Sequence, residues 1–150
     1  MKKNKIALLV VLLHIATLGI AQNGDSTNSF PPIQKYLDKI KSVDTYTEPT
    51  KVSQTLTATT FVVTLESVDM KWKETFSGID WSDFAQYKYK AYKDYFVVEF
   101  SFYDDIAYKM DDDEFGITTE EVDSFKCKFL LEDQEKVKAL LETWEDNLED

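Results

Sequence analysis

Apolar and polar positions alternate with two different periods along this chain, and the change of period marks out its elements. Behind Pro31 and Pro32, residues Ile33, Tyr36, Leu37, Ile40 and Val43 recur at helical spacing, and proline suits the first turn of a helix. So short a helix needs a partner surface to hold it. "DTYTEPTK" then breaks the pattern around Pro49.

From Thr55 the period becomes two. In "TLTATTFVVTLES" Phe61, Val63 and Leu65 share one face, and the run is rich in the Thr and Val that favour strands. "VDMKWKETF" sets Val68, Met70, Trp72 and Phe76 against Asp69, Lys71, Lys73 and Thr75, with Glu74 breaking the apolar file. That alternation predicts a half-buried antiparallel strand. "SGIDWSD" interrupts with turn residues and two apolar anchors, Ile79 and Trp81.

"FAQYKYKAY" and "YFVVEFSFY" follow as a hairpin across Lys93 and Asp94, although Lys-Asp is a poor substitute for Asn-Gly. The second of these strands, with Phe96, Val98, Phe100 and Phe102 on one face, should lie centrally. "DIAYKM" reads as a further short strand, and "FKCKFLL" places Phe125, Cys127, Phe129 and Leu131 on one side. Val137, Leu140, Leu141, Trp144 and Leu148 then form a helical stripe.

The order helix, about six strands, helix predicts an α+β domain over residues 31–150. Short connections imply an antiparallel meander sheet or partly open barrel. The short N-terminal helix and the C-terminal amphipathic helix should pack on it.

The first 21 residues predict a signal peptide: Lys2, Lys3 and Lys5, an uncharged apolar run from Ile6 to Ile20, and small residues at Gly19 and Ala21. Fifteen apolar residues are short for a bilayer that takes about 20. The expected location is exported, periplasmic or secreted, with residues 22–30 as a flexible leader and no membrane insertion after cleavage. Export would leave 14 lysines against 28 acids, no arginine, no histidine and one cysteine, Cys127.

Those counts exclude whole chemistries. A Ser-His-Asp or Cys-His arrangement lacks its imidazole, and neither a histidine-rich zinc site nor an intramolecular disulfide can be built. No cofactor is implied. An acidic surface without the bidentate fork of arginine disfavours nucleic acid. Carboxylate chemistry, calcium, or recognition of another surface remain.

"GIAQ" at the end of the apolar segment, lysine-only basicity, the "F-x-x-IDW" corner and the "KVKALLETW" helix are similar to those of small exported proteins from Bacteroidetes-type bacteria. From Val52 to Leu148 the element order also resembles pleckstrin-homology-like domains, which implies a strand run capped by a C-terminal helix. The basic phosphoinositide-binding loop of lipid-binding members is missing from this sequence.

Three groups of residues are candidate sites. "KMDDDEFGITTEE" has the look of a calcium loop, with Asp111 and Asp113 as its candidate ligands. Read as an EF-hand from Asp111, however, it places Phe115 at position five and Val122 at position twelve, where ligands are required. The simpler reading is a solvated strand connection whose charges protect a sheet edge. A carboxylate pair could serve a glycosidase. Glu99 is expected to face solvent, and Glu74 to sit at a strand edge rather than buried with a raised pKa. Tyr87, Tyr89, Tyr92, Tyr95 and Tyr103 could form a ligand platform or pair within the sheet. The expected function is an exported, non-catalytic module that binds a protein or envelope component. The alternative is a small carboxylate-dependent or calcium-assisted glycan-acting enzyme.

Overall fold

The computed structural model describes residues 30–44 and 49–148. The expected signal peptide, and the leader up to residue 29, lie outside the described residues. The fold is α+β: a seven-stranded antiparallel sheet with a short helix before it and a longer one after it. The elements are α1 (Gln34–Leu37), β1 (Ser42–Asp44), β2 (Pro49–Leu56), β3 (Thr60–Glu66), β4 (Lys71–Ser77), β5 (Phe84–Ala91), β6 (Tyr95–Asp112), β7 (Gly116–Leu130) and α2 (Gln134–Asp146). Among the described residues no helix is long and apolar enough to cross a membrane.

The N-terminal helical pattern yields a single turn, α1, and Val43 passes into β1. All five stripe residues are nonetheless buried. A helix this short is held by what it touches, and the Gln34 side chain is committed to β2: its Oε1 accepts from Leu56 N at 2.7 Å and its Nε2 donates to Gln54 O at 3.0 Å. Part of the outer edge of β2 is thereby hydrogen-bonded by a side-chain amide in place of a strand.

Two other sequence expectations change. "YFVVEFSFY" and "DIAYKM" are one strand, β6, broken only in register: Ser101 pairs with Ser124 and Ile106 with Val122, leaving extra β6 residues bulged out. Such bulges bend a strand and re-aim it. Here the bulge lets β6 change neighbours. Its first part pairs with β5, its last part with β4, and β7 runs along the opposite edge of both. The sheet therefore branches at β6 and is not a simple meander. Glu74, expected at a strand edge, lies mid-strand in β4, paired with Val63 of β3 and Met110 of β6.

The core lies between the inward sheet face and α2. Phe61, Phe96, Phe100, Phe125 and Phe129 are fully buried, with Val137, Leu141 and Trp144 of α2 packed over them. Each such side chain contributes roughly 1.5–3 kcal/mol of burial. Trp81, from the "IDW" corner, meets Trp144 edge-on at 5.5 Å and Phe102 at 5.4 Å. The corner forms because Gly78 takes a positive φ of 76° and because the Asp80 carboxylate accepts from Ser82 N at 2.9 Å. Lys39, just after α1, donates to both oxygens of buried Asp133 at 2.8 and 2.9 Å, tying the N-terminal segment to the start of α2.

The sheet curls without closing by a ladder. The buried face of β2 carries Val52, Gln54 and Leu56, and β7 brings its free edge up to it. There Gln54 Nε2 donates to Lys128 O and Lys128 N donates to Gln54 Oε1, each at 2.8 Å. One carboxamide closes the seam.

Candidate functional site

The outward face of β5, β6 and β7 carries the most organised charged surface described. Cross-strand partners in antiparallel pairs point to the same face. The registers align Lys88 with Glu99 and Glu99 with Lys126, and in the adjacent row Lys90 with Val97 and Val97 with Lys128. Two neighbouring rows thus hold four lysines and one carboxylate, on a chain of net charge −11. Strand geometry places the rows about 6.8 Å apart and neighbouring strands about 4.8 Å apart.

Glu99 is engaged on one side, 3.5 Å from the Lys126 ammonium. In the other row the centre is Val97, 8% exposed despite lying on the outward face. Lys90 and Lys128 flank it across the strands, and long charged side chains of this kind can cover apolar surface with their aliphatic stems. A cleft of about 280 Å3 lies over these rows. The seam fixes one wall, because the backbone of Lys128 is the group that Gln54 holds.

Tyr92 and Tyr95 form the next row. The β5–β6 hairpin closes with Tyr92 N donating to Tyr95 O at 2.8 Å, which leaves Lys93 and Asp94 as a two-residue loop. No described non-glycine residue has positive φ, so this loop lacks the left-handed geometry that usually matches strand twist. The two rings flanking the loop stack at 4.7 Å and 14°, and the Lys90 ammonium lies 5.2 Å from the Tyr92 centroid. On the far side of this ridge a second groove of about 570 Å3 is lined by Ile40, Ser42, Val43, Lys93, Asp94 and Leu130 along with both tyrosines.

The five candidate tyrosines therefore do not share one surface. Tyr87 and Tyr89 lie edge-to-face at 5.3 Å and pack against the core, with Lys138 of α2 over Tyr89. Burial, with Glu145 beside it, pushes the Tyr87 hydroxyl far above the ordinary phenol range. Tyr103 stands alone in the bulge, 80% exposed. Of the five, Tyr92 and Tyr95 form a stacked ridge that lines both grooves, and Tyr89 borders the smaller one.

The acidic loop is a hairpin turn. Asp112, buried, accepts from Glu114 N at 2.8 Å and Phe115 N at 2.9 Å, and Gly116 supplies a φ of 82°. Asp111 sits opposite Lys73 and Ile117 on neighbouring strands, and Asp113 N donates to Lys71 O. The carboxylate nearest the turn amides is thus already engaged by them. Among the described residues no group of three or more His, Cys, Asp or Glu is placed to hold a metal ion.

Two carboxyls elsewhere are perturbed. Desolvation raises the Glu74 pKa, opposed by the Lys128 charge and by a hydrogen bond from Trp72. Asp83 is raised by desolvation, by the charges of Asp104 and Asp80, and by a hydrogen bond shared with Asp104. That pair borders a dent of only about 20 Å3.

The sequence pattern pointed to the tyrosines and acids and passed over the lysines. The available signal was the repeat of alternate lysines in "YKYK" and "FKCKF", which becomes one surface once β6 lies between those strands. No protein-family model matches the chain, and no curated protein or solved structure matches it either.

Proposed function

We propose that the chain is an exported, non-catalytic binding module whose β5–β6–β7 face holds an anionic component of an envelope or protein surface. The carrying observation is the pair of rows that hold Lys88, Lys90, Lys126 and Lys128 with one carboxylate of their own, Glu99, while Lys128 also acts on Glu74 beyond them. Fields from the rest of the acidic chain are screened beyond about 8–10 Å at moderate salt, so a local cluster can attract an anion that the whole molecule repels. The enzyme reading finds less support. Asp83 and Asp104 border a dent of only about 20 Å3, whereas a glycosidase pair flanks a bound sugar.

Chromatography of the full chain on dextran sulfate tests the reading. The protein is expected to be retained at about 0.1 M salt, where the screening length is about 10 Å, to elute at higher salt, and to flow through when Lys90 and Lys128 are both changed to Glu. Flow-through of the unaltered protein overturns it.

A further inference from the structure

Resting on that reading, we infer that the ligand is an acidic oligosaccharide lying across the Tyr92–Tyr95 ridge, its charged residues over the lysine rows and its remaining residues in the groove beyond.

Three features of the two grooves lead to this class. First, they share a wall: Tyr92 and Tyr95 line both the cleft of about 280 Å3 and the groove of about 570 Å3. A ligand confined to one side would leave half of this surface unused, so the surface suits a chain longer than a single small anion. Second, the outer groove mixes Ser42, Lys93 and Asp94 with Ile40, Val43 and Leu130. An acyl chain would strand those polar groups, whereas a sugar offers hydroxyls to them and C–H faces to the apolar ones. Third, Tyr92 is 41% exposed and the Lys90 ammonium stands 5.2 Å from its ring centroid. One face of that ring is stacked on Tyr95 and the Lys90 ammonium stands over it, so a pyranose would meet its exposed edge or displace the flexible lysine, and either way would carry a carboxylate or sulfate within reach of Lys90, and of Lys128 across Val97.

An acidic peptide fits this face less well. Peptides that bind sheets gain most of their affinity by pairing with a free strand edge. Here β6 is flanked by β5 and β7, so a strand would add at the outer edge of β5, where it would leave the groove beyond the tyrosine ridge empty.

Calorimetric titration of the full chain separates the possibilities. The probes are a galacturonate tetrasaccharide, a sulfated oligosaccharide of the same length, a neutral oligosaccharide of the same length and polyglutamate. At least one acidic oligosaccharide should bind, and the neutral one should not. The uronate and sulfate arms identify which acid the lysines prefer. Lys90→Gln should weaken binding about tenfold, the loss expected of one charge-assisted hydrogen bond. Tyr92→Ala should weaken the oligosaccharide, and Tyr92→Phe should restore it. Tight binding of polyglutamate that ignores Tyr92 would overturn the saccharide inference and leave the anion-binding reading standing. Failure of every polyanion to bind would remove both.

Discussion

Gln54 stands in for a strand at Lys128: its carboxamide satisfies both backbone groups of that residue, at 2.8 Å each. It does so from a buried position on the inward face of β2, where an apolar residue would ordinarily sit. Replacing it with leucine keeps the volume and leaves the Lys128 N–H and C=O unpaired. An orphaned buried polar group costs about 1–3 kcal/mol, so Gln54→Leu should lower the unfolding free energy by about 2 kcal/mol or more in urea titration. A neutral result would mean that water replaces the clip at no cost. The same variant links fold to site, because a loosened seam should also weaken polyanion retention.

Glu74 predicts a pH dependence. Its folded-state pKa is raised, chiefly by desolvation. The folded state therefore holds this proton more tightly than the unfolded chain does. Stability from this group is fully present below the ordinary glutamate pKa, about 4.3, and is lost as pH rises through the folded value. Lys128 and Trp72 favour the charged form and limit the shift, while Tyr108 nearby has its own pKa raised. Glu74→Gln should raise the melting temperature at neutral pH and leave it unchanged near pH 4. Asp83 has the same sign, so the difference between the two proteins, not the wild-type curve, isolates Glu74. A lower melting temperature at neutral pH would show that the Lys128 contact outweighs desolvation.

Cys127 should be silent in the native protein. It is fully buried between Phe125 and Phe129 on the inward face of β7, and burial pushes its thiol well above the ordinary range. Thiolate is the reactive form, so an aromatic disulfide reagent should label it only at the rate of global unfolding. Rapid labelling without denaturant would mean that β7 opens locally.

The elements most legible in the sequence were those whose burial alternates without interruption. β3 and the stripe of α2 belong to this group, since Phe61, Val63 and Leu65 or Val137, Leu141 and Trp144 point inward at the expected period. β2 was not legible because its inward positions include Thr50 and Gln54. Gln54 is satisfied by a partner 74 residues away, and no local pattern encodes such a bond. The first half of β7 was missed for the opposite reason. From Gly116 to Glu121 it is exposed on both faces, so nothing alternates. The lysine face depends on both elements: it exists only once β5 and β7 flank β6, a pairing set by the bulge before Ile106. The tyrosines show the limit of period reasoning, which groups Tyr87 with Tyr89 but cannot say that their face is the covered one.

The turn at Asp112 to Gly116 makes the final prediction. Gly116 has a φ of 82°, and a Cβ placed there would meet nothing within 4 Å. Gly116→Ala therefore isolates the backbone cost of a left-handed residue, about 1–2 kcal/mol, and Gly116→Asn should cost less because asparagine visits that region more readily. Asp112→Asn keeps the acceptor for Glu114 N and Phe115 N and should be mild, while Asp112→Ala should cost about 1 kcal/mol or more through the lost bonds. Calcium near a millimolar should shift the melting temperature no more than magnesium does, since the Asp112 carboxylate already serves the turn amides. A ligand present at its dissociation constant stabilises by only about 0.4 kcal/mol. Asp111→Asn with Asp113→Asn should leave folding intact. A calcium-selective rise of many degrees, abolished in that double variant, would instead make this turn a metal site and return the calcium-assisted reading to the front.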